Sequence, residues 1–170
     1  MLKDSEPPYS VIDNYLDDVT FNELCGVMLG TTFPWFYNDN IVSPDDGGYF
    51  QFVHSFYDEN LPRSKMFNLL EPILNKLQPK GLVRVKANTT TKTDQHIIHK
   101  RHVDLSYSFD NAYTSVFYLN TNNGGTVFEK GYEVYSLANR LVTFPMHELH
   151  SGKTCTDEKR RVVINFNYFK

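Results

Sequence analysis

The sequence predicts a mainly β domain, an antiparallel barrel or sandwich with helices on its flank. Three observations carry that prediction. Aromatic residues make up 15% of the chain, and Tyr, Phe and Trp suit pleated, half-buried surfaces. Beyond Gly81 the apolar pattern changes from helical spacing to alternation, and short strand-like segments follow with no helix between them. Without crossover helices or a Gly-rich phosphate loop, a parallel nucleotide-binding sheet is disfavoured.

Taken in order, Ser10–Asp13 reads as a short strand. Thr20-Phe-Asn-Glu23 reads as a capping box that opens a helix to about Met28. Thr31–Tyr37 is aromatic and extended, the stretch 44–48 (PDDGG) is a turn, and Tyr49–Tyr57 is a strand. Phe67, Leu70, Leu74 and Leu77 stand at helical spacing within Ser64–Leu77, with a kink or break expected at Pro72. Leu82–Thr91 then alternates Val83, Val85 and Ala87 with Arg84, Lys86 and Asn88. Ala112–Leu119, Thr126–Glu129, Tyr132–Leu137, Arg140–Phe144 and Arg161–Phe169 are further strands, and 120–125 (NTNNGG) is the strongest turn signal.

The 170 residues suit one domain, with residues 1–80 as helical and strand support and 81–170 as the β core. A net charge of −3 gives no bulk attraction to nucleic acid or anionic lipid. The longest apolar runs fall far short of the roughly 20 residues that span a bilayer. The opening segment MLKDSEPPYS lacks a secretory design, and Cys25 and Cys155 form no disulfide framework. A cytoplasmic protein with reduced thiols is the expectation, with no membrane partner and no nucleic acid. The composition leaves its oligomeric state open.

Among six His, the informative one is in His102-Val-Asp104. On a strand, residues i and i+2 share a face, so imidazole and carboxylate can converge on one ion. Taken alone the pair is weak, since about 0.4 such pairs arise by chance at this composition. His150, just past the Arg140–Phe144 strand, supplies a third ligand. Two His and one carboxylate leave open positions on Fe(II), whereas a closed zinc site more often uses four ligands and Cys. Arg160 and Arg161 open the last strand, and an Arg at a barrel mouth suits bidentate capture of a carboxylate.

Five ordered pieces carry a family resemblance: 101–104 (RHVD), 114–120 (TSVFYLN), 123–126 (NGGT), 139–145 (NRLVTFP) followed by His150, and 161–167 (RVVINFN). Over roughly residues 80–169 the chain resembles the 2-oxoglutarate/Fe(II)-dependent oxygenases, in particular the prolyl-4-hydroxylase-like branch of phage and bacterial type. Weaker similarity precedes it at 33–37 and 52–57. The resemblance implies a double-stranded β-helix (jelly-roll or cupin-like) and an enzyme, a dioxygenase acting as a hydroxylase. It implies that His102, Asp104 and His150 hold Fe(II), and that 2-oxoglutarate chelates the iron. The distal carboxylate of 2-oxoglutarate would meet an Arg of the last strand and the Tyr118 hydroxyl. O2 would be consumed, with ascorbate as a reductant, in bacterial or virus-infected host cytosol. A substrate C–H bond, of a prolyl or other amino-acid residue in a peptide or of a small molecule, would be hydroxylated as 2-oxoglutarate is decarboxylated to succinate.

Strand period selects between the two Arg. With Arg161 inward, Val163, Asn165 and Asn167 follow it, and Val162, Ile164, Phe166 and Tyr168 form an apolar stripe toward the helices. Arg160 inward would instead fill the co-substrate pocket with that stripe, so Arg161 is the expected anchor. The remaining residues have plainer readings. His96 and His99 are read as loop residues, His147 as a surface or supporting group, and His54 as a hydrogen-bonded core or rim histidine. Trp35, Phe36 and Tyr37 are read as core or mouth wall, and Arg84 and Asn88 as either substrate-facing or solvated. Two other classes fit the residues: a barrel that binds a metal or ligand without turnover, and a structural viral jelly-roll protein.

Overall fold

The computed structural model describes residues 6–45, 47–104 and 110–170. Their chain order begins β1 (Ser10–Ile12), α1 (Asp18–Met28), β2 (Phe36–Asn38), β3 (Gln51–Asp58) and β4 (Leu61–Pro62). A 3-10 turn (Phe67–Leu70) then leads into α2 (Glu71–Leu77), β5 (Gly81–Thr91) and β6 (Ala112–Tyr118). The chain finishes with β7 (Gly125–Phe128), β8 (Glu133–Tyr135), β9 (Arg140–Pro145), β10 (His150–Lys153) and β11 (Arg160–Phe169).

The larger sheet has the order β1-β9-β6-β11-β5-β3-β2, with β4 paired to β3; the smaller one has the order β10-β7-β8. Every pairing between named strands is antiparallel. The mainly β class with flanking helices is therefore the observed one. Single bridges, Ile98 to Lys153 and His102 to His150, carry the segment before Asp104 alongside β10.

Alternation along β11 divides the interior into two cores. Val162, Ile164, Phe166 and Tyr168 join Leu24 and Met28 of α1, Leu70 and Ile73 beneath the larger sheet. Val163 faces the other way and packs with Val116, Tyr118, Phe128, Val134, Val142 and Phe144 between the sheets. Each fully buried side chain of this size contributes about 1.5–3 kcal/mol. The helix-facing stripe thus sets which face of β11 is left to line a cavity.

Several local expectations are corrected. The helix begins at Asp18, and its cap is Asp17, whose carboxylate accepts from the Thr20 backbone N–H at 3.0 Å and from the Thr20 hydroxyl at 2.7 Å. Thr20 lies inside the first turn, because the Asp carboxylate reaches the orphan N–H groups first and adds favourable charge at the helix start. The expected break at Pro72 is present. The 3-10 turn ends at Leu70, and Pro72 stands in the first turn of α2, where its missing N–H costs no bond. Strand structure near 31–37 forms only at Phe36–Asn38. In the 44–48 turn, Gly47 and Gly48 take φ of +84° and +76°, and Asp46 lies outside the described residues.

Candidate active site

The sheets open onto a cavity of about 230 Å³ that holds His102, Asp104, His150, Arg161 and Thr126. His102 and Asp104 do not belong to a regular strand. His102 instead exchanges both backbone hydrogen bonds with His150, at 3.0 and 3.1 Å, so one bridge fixes both imidazoles. His150 lies just past β9 as expected and also opens a further strand, β10, which the sequence pattern did not mark.

One ligand atom from each of His102, Asp104 and His150 lies within 4.8 Å of the others. The two imidazole centroids are 4.6 Å apart, and His150 Nε2 is 3.9 Å from Asp104 Oδ2. His102 Nδ1 lies 3.2 Å from the Lys100 carbonyl, and His150 Nδ1 lies 3.0 Å from the Glu148 carbonyl. A carbonyl only accepts, so each Nδ1 carries the proton and each Nε2 presents a lone pair. Burial and the adjacent His150 hold His102 below the ordinary imidazole value, which keeps the ring neutral for ligation.

Asp104 is oriented from three elements. Its Oδ2 accepts from the Thr114 hydroxyl of β6 at 2.8 Å and from Asn167 Nδ2 of β11 at 3.0 Å. Its Oδ1 accepts from Arg84 Nη2 of β5 at 3.3 Å. Burial works to raise this carboxyl, but His150, Arg84 and the Thr114 hydroxyl together hold it below its usual value. Thr114 and Asn167 are register partners on neighbouring strands, which places both donors on one oxygen. Two neutral imidazoles and one anionic carboxylate, each held by a second hydrogen bond, are a donor set suited to a divalent transition metal with open positions.

Arg161 points into the cavity and is only 7% exposed. Its Nη2 reaches Thr126 Oγ1 at 3.4 Å, its guanidinium lies over the Tyr118 ring at 5.4 Å, and its Nε has no hydrogen-bond partner among the described residues. Burial pushes its pKa below the ordinary value, partly offset by Tyr118. Arg160 turns away and donates to the Leu29 carbonyl at the end of α1. Tyr118 is fully buried between the sheets, and its hydroxyl donates to Thr126 Oγ1 at 2.7 Å. Thr126 thus joins Tyr118 to Arg161, a role the sequence reading did not assign; its place four residues past the Asn-Asn-Gly-Gly turn start was the available signal.

The other singled-out residues fall as follows. Arg84 and Asn88 line the cavity, as does Asn165, which was expected to point inward, together with Lys86 and Gln51, which sequence reasoning left unassigned. His99 lies outside any strand, as expected of a loop residue, and is buried against the cavity. His96 bonds the Thr154 carbonyl at 2.9 Å, and His147 is exposed. His54 is a buried histidine held by the Pro34 carbonyl and the Ser64 hydroxyl, both at 2.8 Å. Trp35 packs at the edge of the helix-side core, while Phe36 and Tyr37 are exposed. Cys25 and Cys155 are free; burial raises the Cys25 thiol to about 11 and also raises Cys155.

No protein-family model and no curated protein sequence matches the chain. Solved structures do match it in fold. A prolyl hydroxylase from Trichoplax adhaerens, solved with a hypoxia inducible factor oxygen degradation domain peptide, superposes with a TM-score of 0.70 at 14% identity, covering 95% of this chain and 83% of that one. A 2OG-Fe(II) oxygenase family oxidoreductase from Burkholderia pseudomallei gives 0.66 at 16% identity, covering 96% and 86%. The non-heme alpha ketoglutarate dependent epimerase SnoN from nogalamycin biosynthesis gives 0.68 at 13% identity, covering 96% and 78%. The fold is the double-stranded β-helix of the 2-oxoglutarate/Fe(II) oxygenases, with prolyl hydroxylases among its neighbours, as the sequence resemblance implied. No helix among the described residues is long and apolar enough to cross a membrane.

Proposed function

We propose that this protein is an Fe(II)- and 2-oxoglutarate-dependent dioxygenase that hydroxylates a C–H bond of a small-molecule or peptide substrate. The observation that carries the reading is Arg161, a buried guanidinium without a counter-charge among the described residues, in the same cavity as a His-Asp-His donor set. A buried cation of this kind calls for an anion, and a dianionic 2-oxo acid answers it at one end while its other end meets the metal.

His102, Asp104 and His150 would hold the iron, and Arg161, with the Thr126 hydroxyl and Tyr118 behind it, would hold the distal carboxylate. The iron and its co-substrate supply the oxidising chemistry when bound. The chain's own part is positional. The backbone bridge sets the angle between the imidazoles, the Lys100 and Glu148 carbonyls fix their tautomers, and Thr114, Asn167 and Arg84 hold the carboxylate ionised and oriented. Val116 and Val163 give the cavity wall apolar surface, which would help keep water from the bound co-substrate. Residues 1–80 act as support for the β core at 81–170 within a single domain, because the helix-side core draws side chains from both parts.

The test is thermal unfolding with Mn(II) and N-oxalylglycine, a non-reacting analogue of 2-oxoglutarate. Metal and analogue together raise Tm well beyond either alone, and His102→Ala removes the effect. Equal stabilisation of His102→Ala and wild type would overturn the reading.

A further inference from the structure

The cavity carries more positive charge than the proposed chemistry uses. Arg161, Arg84 and Lys86 line it, while Asp104 is its only carboxylate among the described lining residues. A fourth cation, Lys153, is paired with Glu133. On the reading above, iron(II) is balanced by Asp104 and the 2-oxo acid end of 2-oxoglutarate, and the distal carboxylate is balanced by Arg161. Loading therefore leaves Arg84 and Lys86 as two uncompensated cations facing the same space.

Lys86 is the sharper of the two. Arg84 is tied to Asp104 Oδ1 and to Asn167 Oδ1 at 3.1 Å. The Lys86 ammonium has no ion pair and no hydrogen bond among the described residues, although the residue is partly buried. Burial and the like charge of Arg84 push its pKa down, with Asp104 and Asp58 partly offsetting them. The strand places it deliberately: on β5, Arg84, Lys86 and Asn88 share the cavity face and lie opposite Asn167, Asn165 and Val163 of β11. Beside Lys86 runs a chain of amides. Asn165 Nδ2 donates to Asn88 Oδ1 at 3.3 Å, Asn88 Nδ2 to Gln51 Oε1 at 2.6 Å, and Gln51 Nε2 to the Ile41 carbonyl at 2.9 Å. An aliphatic wall would suit an apolar substrate. This wall of two cations and fixed amides suits an oxyanion, and an anionic partner offsets the desolvation cost of a partly buried, unpaired lysine.

We infer that Lys86, flanked by Arg84 and the Asn88–Asn165 amides, is the subsite for a carboxylate on the substrate, which is a small carboxylic acid of amino-acid size. This rests on the proposed oxygenase reading. Size supports it: about 230 Å³ lies below the roughly 300–1,000 Å³ usual for ligand pockets, and the co-substrate must share the space. Lys86 lines the same cavity as His102, Asp104 and His150, so a short acid held there shares the space with the metal ligands.

The experiment has two stages on the full chain. Stage one measures the Tm increase given by Mn(II) with N-oxalylglycine, which tests the oxygenase reading alone. Stage two adds, to that loaded protein, each proteinogenic amino acid and each aliphatic mono- and dicarboxylate of about two to six carbons, alongside its methyl ester or diester. The inference expects at least one acid to raise Tm further and its ester to fail. It expects Lys86→Met to weaken that acid at least about tenfold by calorimetry, the loss of one charge-assisted bond, while the N-oxalylglycine affinity moves less than about twofold. Lys86→Arg should restore part of the acid affinity. Lys86→Met removes a partly buried charge and is expected to fold, with a metal-free Tm at or above that of the wild type. The inference is overturned if no acid binds, if esters bind as well as acids, or if Lys86→Met weakens N-oxalylglycine as much as the acid. The last result would assign Lys86 to the co-substrate.

Discussion

Replacing Arg161 by Met should stabilise the metal-free protein and disable it at once. The guanidinium is buried, with one contact to Thr126 at 3.4 Å and the face of Tyr118 at 5.4 Å as its surroundings. Burying an ion without a counter-charge costs several kcal/mol after relaxation. The aromatic face returns about 2 kcal/mol, and the long Thr126 contact returns little. Met, of similar length, removes the charge and keeps most of the packing, for a net gain of about 1–3 kcal/mol. At about 2–4 °C per kcal/mol for a chain of this size, the chelator-treated variant should melt about 2–12 °C higher. With Mn(II) present the sign reverses. Losing one side of a buried charge pair costs about 3–5 kcal/mol, and at 1.4 kcal/mol per tenfold this weakens N-oxalylglycine by two to nearly four orders of magnitude, about 10²- to 4 × 10³-fold. Thermal unfolding with chelator, then with metal and a series of analogue concentrations, reads both effects. A variant that is destabilised by more than about 1 kcal/mol without metal and still binds the analogue as tightly as wild type would refute the reasoning.

Other perturbations have equally definite outcomes. The His102 imidazole is held below its ordinary value of 6.5 in the folded state, so the unfolded chain binds protons first on acidification. The metal-free Tm should lose this contribution as pH falls below about 6.5, with a shallower slope in His102→Gln measured by calorimetry. Asn139 has φ +63°, and its side chain bonds both the Leu16 backbone N–H and carbonyl, at 2.9 and 2.8 Å. Asn139→Ala should lose about 3 kcal/mol in urea unfolding, and Asn139→Gly about 1 kcal/mol less, because Gly accepts the left-handed backbone but not the two bonds. At Gly125 an added Cβ would come within 2.4 Å of the Val134 carbonyl oxygen, across the β7–β8 pair. Gly125→Ala should cost about 1–3 kcal/mol and weaken N-oxalylglycine by moving Thr126. Gly26→Ala, in α1 with no atom within 4 Å, should instead gain up to about 1 kcal/mol.

How much of this was legible in the sequence depended on the range of the interaction. The inward and outward faces of β11 were readable because the period of two admits one placement that buries Val162, Ile164, Phe166 and Tyr168, and Arg161 follows from it. Pro72 was readable because its missing N–H acts locally. The cap was misplaced by three residues because Asp17 and Thr20 are both good caps, and the winner is set by which side-chain oxygen meets the first free N–H groups. β10 was missed because Ser151, Gly152 and Lys153 carry no strand propensity; their pairing with β7 is a tertiary choice. The partners of Asp104 and the exposure of Lys86 to the cavity arise from register between strands far apart in sequence, which no local pattern encodes.

On the proposed reading, His102, Asp104, His150 and Arg161 form one centre that uses Fe(II), 2-oxoglutarate and O2. Its most direct test is succinate released from 2-oxoglutarate by the purified protein with Fe(II) and ascorbate under air. The account predicts succinate in wild type, none with chelator, and none in His102→Ala or His150→Ala. Undiminished succinate from both variants would contradict it.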